Sequence, residues 1–292
     1  VDVESSTELV LKTILTDLDR SGAVVEVGLG SLNYSFQWAA PRGFRCLAVE
    51  PLPTSQLREA AAKYGVPILE LAMSAESGEA PIYHGRLDGF DLPDISSLNP
   101  QWWGVSDQYT IVPTSTLIDF CRAQEVHEIA LLKVDTEGSE ADILSCLPDL
   151  PESNRPRLLM IEYGGGGVPR SSGTGGWAPE FQGKLMALLG NLESLHYRAV
   201  IVFEESNLVP VLHTGADAFD SDLLFPAAAQ VGNLVFVRDA SCVAIAAVAL
   251  ADLRQRLIRA GLAHAWLALG RAVDRQSRRF RSKVKGFIRG NR

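Results

Sequence analysis

"LLKVDTEGSEADIL", residues 131–144, begins as an apolar run and breaks into acids at Asp135, Glu137, Glu140 and Asp142 around a single Gly138. Extended back to Ile129, the run "IALLKV" has strand length and is apolar on both faces except at Lys133. A strand of that kind is stable only in a sheet covered on both sides. The carboxylates then fall where the chain leaves the strand. In open parallel sheets that carboxyl edge is where ligands bind.

Similar runs recur along the chain. Strands are expected at 23–27, 45–49, 67–71, 129–134, 157–163, 198–203 and 233–238, with helices near 5–19, 33–40, 54–64, 115–123, 139–147 and 179–190. This alternation predicts a doubly wound α/β domain with a mostly parallel sheet and helices on both faces. Residues 77–112, with "NPQWWGVSDQY", break the alternation and read as a turn-rich insertion near the strand ends. Gly-rich "YGGGGVPRSSGTGGW", residues 163–177, reads as a mobile loop. The expected division is a catalytic domain over 1–240 and a tail over 241–292.

Composition narrows the choices. The chain has 292 residues, is 47% hydrophobic and carries a net charge of -8. Its four cysteines, Cys46, Cys121, Cys146 and Cys242, show no paired spacing, so neither a disulfide framework nor a zinc site is indicated. A reducing cytoplasm fits that usage. Residues 252–292 hold ten Arg and two Lys against Asp252 and Asp274, a balance of +10, which leaves -18 on the rest. So acidic a body disfavours nucleic acid as a partner. The tail has Leu253, Leu257, Leu262, Trp266, Leu269 and Val273 at near-helical spacing. It predicts a basic amphipathic helix that docks on protein, or that makes peripheral contact with an anionic membrane at its inner face.

The first strand runs into "VVEVGLGSLNYSF", residues 24–36, where Glu26 ends the strand and Gly28 and Gly30 form a turn that admits a ligand to the backbone. Glu50 ends the second strand about 20 residues later, where a carboxylate can accept the two ribose hydroxyls of an adenosine. Ser74 and Ala75 follow the third strand as small residues suited to an adenine edge. A nicotinamide dinucleotide would fit this pattern, but Asn33 stands where its fingerprint needs a third glycine.

Taken together, "VVEVGLGSLNYSFQWAA", "AVEP", "AMSAESGEAPIY", "STLIDFC", "LLKVDTEGSEADIL" and "RPRLLMIEY" resemble, in order, the FkbM-like family of S-adenosylmethionine-dependent methyltransferases. The resemblance covers roughly residues 20–165 and, more weakly, "GNLVFV" near 232. Its most specific block is Lys133, Asp135, Glu137, Gly138 and Glu140. Glu26 replaces the family's usual Asp, Gly30 its Asn and Leu32 its second Gly. The resemblance implies a class I, Rossmann-like fold of seven strands with the last antiparallel. It also implies S-adenosylmethionine as cofactor, held by Glu26, Gly28, Gly30, Glu50, Pro51, Ser74, Ala75 and Asp135.

In that setting Asp135 emerges beside the cofactor's methyl group. It is expected to orient an acceptor hydroxyl and take its proton, or alternatively to hold the methionine amino group or cap the following helix. Glu137 and Glu162 are the further catalytic candidates. Glu140 and Asp142 are expected to serve the dipole of the next helix. Lys133 is expected to pair with an acid such as Glu162. Asp135 and Glu162 with a loop donor could hold a divalent cation, but no third ligand is evident and no metal site is assigned. His84 and His213 are loop candidates for a base, while His127, His196 and His264 carry no signal. Trp102, Trp103, Tyr109 and Trp177 wall an acceptor pocket or pack the core.

The function implied is methyl transfer to a hydroxyl of a sugar, glycolipid or polyketide-type acceptor. A nucleotide-dependent oxidoreductase and a catalytically degenerate binding module are the alternatives.

Overall fold

The computed structural model describes residues 3–18, 20–30, 34–204 and 207–259. In chain order these form α1 (Val3–Thr16), β1 (Ala23–Val27), α2 (Phe36–Ala39), β2 (Cys46–Val49), α3 (Ser55–Tyr64), β3 (Ile68–Leu69), β4 (Ala72–Met73), β5 (Gly78–Leu87), β6 (Phe90–Asp91), β7 (Val105–Ser115), α4 (Leu117–Ala123), β8 (Ile129–Val134), α5 (Glu140–Leu144), β9 (Leu158–Gly164), α6 (Pro179–Ser194), β10 (Ala199–Glu204), β11 (Asn207–Thr214), α7 (Ser221–Leu224) and β12 (Val231–Val237). A last helical stretch occupies residues 240–259.

The main sheet has the order β11-β10-β12-β9-β8-β1-β2-β3. From β3 to β9 every pairing is parallel, whereas β12 runs antiparallel to both β9 and β10. All residues of β1 and β8 are buried, as strands covered on both faces must be. Strand order reverses between β1 and β8, and a crevice opens at such a point. The sheet has eight strands where seven were expected. The extra one, β11, forms a hairpin with β10 at the sheet's edge. Pro210 within it argues against a strand from sequence, but an edge position tolerates a residue that cannot donate to the ladder.

The insertion is not turn-rich. β5 and β7 pair antiparallel over most of their length and, with β4 and β6, make a second sheet of order β4-β7-β5-β6. Its own core is small, formed by Ala72, Ile82 and Val112, and most other positions on the strands face solvent. So few buried positions leave a weak apolar alternation, which is why these strands were missed. The two ends of the Gly-rich loop 163–177 are packed, while residues 171–174 between them are exposed. Trp177 is fully buried, its indole N–H donates to the Gln230 carbonyl (2.7 Å), and a side chain at Gly164 or Gly176 would overlap backbone.

Two helices are closed by hydroxyl caps. Thr54 accepts from Leu57 N–H and Thr116 from Asp119 N–H, each at 3.1 Å. The chain divides into compact units Val1–Leu250 and Ala251–Arg292. The second shows helical residues 251–259 with an Asp252–Arg256 ion pair at 2.7 Å, and most of the expected basic tail, residues 260–292, lies outside the described residues.

Candidate active site

The turns after β1 and β8 meet at the switch point. Asp135 N–H donates to the Val27 carbonyl and Gly28 N–H to the Val49 carbonyl, both at 3.0 Å. Gly28 has φ +72°, and a Cβ there would overlap the backbone carbonyl of Asp135, so the approach requires glycine. Gly30, at φ +49°, faces the side chain of Asp94. Glu50 reaches back from β2. Its Oε2 accepts from Leu29 N–H (3.0 Å) and its Oε1 from Leu52 N–H (2.9 Å). Burial pushes its carboxyl upward in pKa, and these backbone donors oppose the shift.

Gly28, Gly30, Glu50 and Asp135 line a cleft together with Val27, Val49 and Asp94. Of the residues expected to bind a cofactor, Gly28, Gly30, Glu50, Pro51 and Asp135 line it. Glu26 stands behind the turn, where both carboxylate oxygens accept from Ser35 N–H (3.0 and 2.9 Å). Ser74 and Ala75 do not line the cleft. At β4 the chain diverts into the second sheet, so that Ser74 N–H donates to Ser115 (3.0 Å), Ala75 is exposed, and Ala72 and Met73 form the wall instead. The expected turn positions Leu32 and Asn33 lie outside the described residues.

Two carboxylates on the cleft wall, Asp135 and Glu137, cluster with a third, Glu162. Asp135, Glu137 and Glu162 each place an oxygen within 4.8 Å of the others, a set that could also hold a divalent cation. The third ligand unseen in the sequence is Glu137. It has φ +57°, an unusual backbone for a non-glycine residue. The insertion holds it there: Trp102 Nε1–H donates to Glu137 Oε2 (2.8 Å) and Ser97 Oγ–H to the Glu137 carbonyl (2.6 Å). Burial, then the neighbouring Asp135, push Glu137 up to about 8 despite the Trp102 donor. Glu162 is raised well above the usual range by burial and then by Asp135 and Glu137. Burial and mutual repulsion thus favour the protonated forms of Glu137 and Glu162.

Lys133 does not pair with Glu162. In the β1/β8 register it lies beside Glu26, and its Nζ sits 3.7 Å from Glu26 Oε1 and 3.6 Å from Asp135 Oδ2. Burial alone would lower its pKa, but Asp135 and Glu26 outweigh burial and raise it, so it stays a cation. Glu140, expected to serve the dipole of the next helix, accepts from the preceding loop at Thr136 N–H (2.7 Å) and Gly138 N–H (3.0 Å). Burial raises it to about 7. Asp142 pairs with Lys184.

The remaining candidates separate. Trp177 belongs to the core, Tyr109 is exposed on the second sheet, and neither His84 nor His213 lines the cleft. Missed from sequence were Pro93, Asp94, Ser96 and Leu98, which the insertion contributes to the cleft wall. The available signal was the Trp102–Trp103 pair, costly to place in a loop unless something packs on it.

Residues 26–198 match the family model described as the methyltransferase FkbM domain. No curated protein matches the chain.

Proposed function

The chain belongs to the FkbM methyltransferase family, and from that premise we propose that it is an S-adenosylmethionine-dependent O-methyltransferase acting on a hydroxyl of a sugar, glycolipid or polyketide-type acceptor. The observation that carries this reading is that Asp135 and Glu137, clustered with Glu162, line the same cleft as Gly28, Gly30 and Glu50. Strand order supports a class I fold, since β12 lies between β9 and β10 and runs antiparallel to both.

The cleft suits that cofactor. Gly28 and Gly30 leave the turn bare of side chains, and Glu50 is a carboxylate placed to accept vicinal hydroxyls. When bound, S-adenosylmethionine supplies a sulfonium methyl group that transfers as its C–S bond breaks. Asp135 orients the acceptor hydroxyl and accepts its proton, so the oxygen attacks without becoming a free alkoxide. Lys133 holds Asp135 in place. Glu137 and Glu162, beside Asp135, can relay the proton onward.

A panel of glycosides and macrolide aglycones with radiolabelled methyl donor tests the reading. Asp135→Asn should leave S-adenosylhomocysteine affinity within a few fold while turnover falls by about 10²- to 10⁴-fold, the usual cost of losing a general base. Near-normal turnover would move the base elsewhere, and collapse of affinity would make Asp135 a cofactor ligand. Loss of activity with chelator, restored by Mg²⁺, would instead assign a metal to Asp135, Glu137 and Glu162.

A further inference from the structure

Behind the acid cluster lies a second cavity of about 460 Å³, to which no role has so far been given. Trp102, Phe181, Glu140, Glu162 and Lys184 contribute to its lining, with Gly138, Gly164 and Gly176 leaving the backbone bare. The two cavities meet at the carboxylates. Asp135 and Glu137 line the first, Glu162 lines the second, and the three lie within 4.8 Å of one another. A molecule in the second cavity lies against Glu162 and so beside the same cluster that Asp135 and Glu137 present to the first.

Trp102 is the shared wall. It is 7% exposed, its ring meets Phe181 edge-on (centroids 4.9 Å apart, 86°), and it packs so closely on Gly138 that no side chain fits there. Its N–H meanwhile reaches Glu137 on the side of the first cavity. One indole therefore touches the contents of one cavity and fixes an acid of the other.

The charges also select. The one cationic side chain on the second cavity's lining, Lys184, is already paired with Asp142 at 2.6 Å, and two carboxyl groups, Glu140 and Glu162, stand on the same lining, so the surroundings disfavour an anion. Aromatic faces and carboxyl groups that both donate and accept suit a hydroxylated ring. We propose that the second cavity is the acceptor's site, that it takes a neutral hydroxyl-bearing ring and rejects phosphorylated ones, and that Trp102 is a positioning residue holding Glu137 at the reacting hydroxyl. The proposal rests on the methyltransferase reading and deepens it.

The indole N–H of Trp102 is its own reporter. In ¹⁵N-labelled protein saturated with S-adenosylhomocysteine, with the resonance assigned by triple resonance so that no variant is needed, phenyl β-D-glucopyranoside should shift it and phenyl phosphate should not. The same resonance should move in Glu137→Gln, which replaces the acceptor of its hydrogen bond. No response to the glycoside, an equal response to the phosphate, or an unmoved resonance in Glu137→Gln would overturn the proposal. Failure of S-adenosylhomocysteine to bind at all would instead overturn the cofactor reading, and calorimetry distinguishes the two.

Discussion

Glu137 shows how a residue's surroundings can exceed what its letter announces. Its spacing from Asp135 was visible in the sequence, but its proximity to Glu162 and its bond to Trp102 depend on strand order and on a distant insertion. Its raised pKa has a consequence for stability. The folded state binds a proton that the unfolded chain releases near the ordinary value of 4.5, so this group's contribution is present below that pH and is lost as pH rises through about 8. Glu137→Gln removes the ionisation. The melting temperature of this variant relative to wild type should therefore rise between pH 5 and pH 9 in a calorimetric series, and a constant difference would show that Glu137 ionises freely. Lys133 teaches the same lesson from the other side, because pairing it with Glu26 rather than Glu162 required the β1/β8 register.

Among elements, the turns after β1 and β8 carry the site, and both were legible because their glycine and acids punctuate long apolar runs. Gly28→Ala would place a methyl group on the Asp135 carbonyl at φ +72°. It should cost about 2 kcal/mol or more in urea unfolding and weaken S-adenosylhomocysteine binding in parallel. A loss of binding with unchanged stability would mean that the turn gives way without strain. Away from the site, Thr116→Ala removes the cap of α4 and should cost about 1 kcal/mol while leaving cofactor affinity alone. Strands β5 and β7 were illegible because the sheet they form buries almost nothing: a strand with a solvated face and a three-residue core has little apolar periodicity to read. The edge strand β11 was hidden by Pro210 for a related reason, since an edge relaxes the rules that sequence patterns assume.

At the scale of the whole molecule, the doubly wound core was readable from end to end because burial on both faces forces strand after strand into the same apolar signature. No helix among the described residues is long and apolar enough to cross a membrane. The acidic body and basic tail therefore pose a surface question, which co-sedimentation with anionic vesicles, with and without residues 252–292, answers. Recovery only of the tail-bearing form would support peripheral contact, and equal recovery would remove it. The central claim, however, is that the cleft at the β1/β8 switch point holds S-adenosylmethionine, with Glu50 accepting its ribose hydroxyls. Each charge-assisted hydrogen bond lost from a buried site costs about 1.5 to 3 kcal/mol, and about 1.4 kcal/mol is already tenfold in affinity. Isothermal titration of S-adenosylhomocysteine into wild type and Glu50→Ala should show specific binding that weakens at least about tenfold in the variant, with no binding of NAD by either. Unchanged affinity in Glu50→Ala, or tight NAD binding by the wild type, would contradict the account.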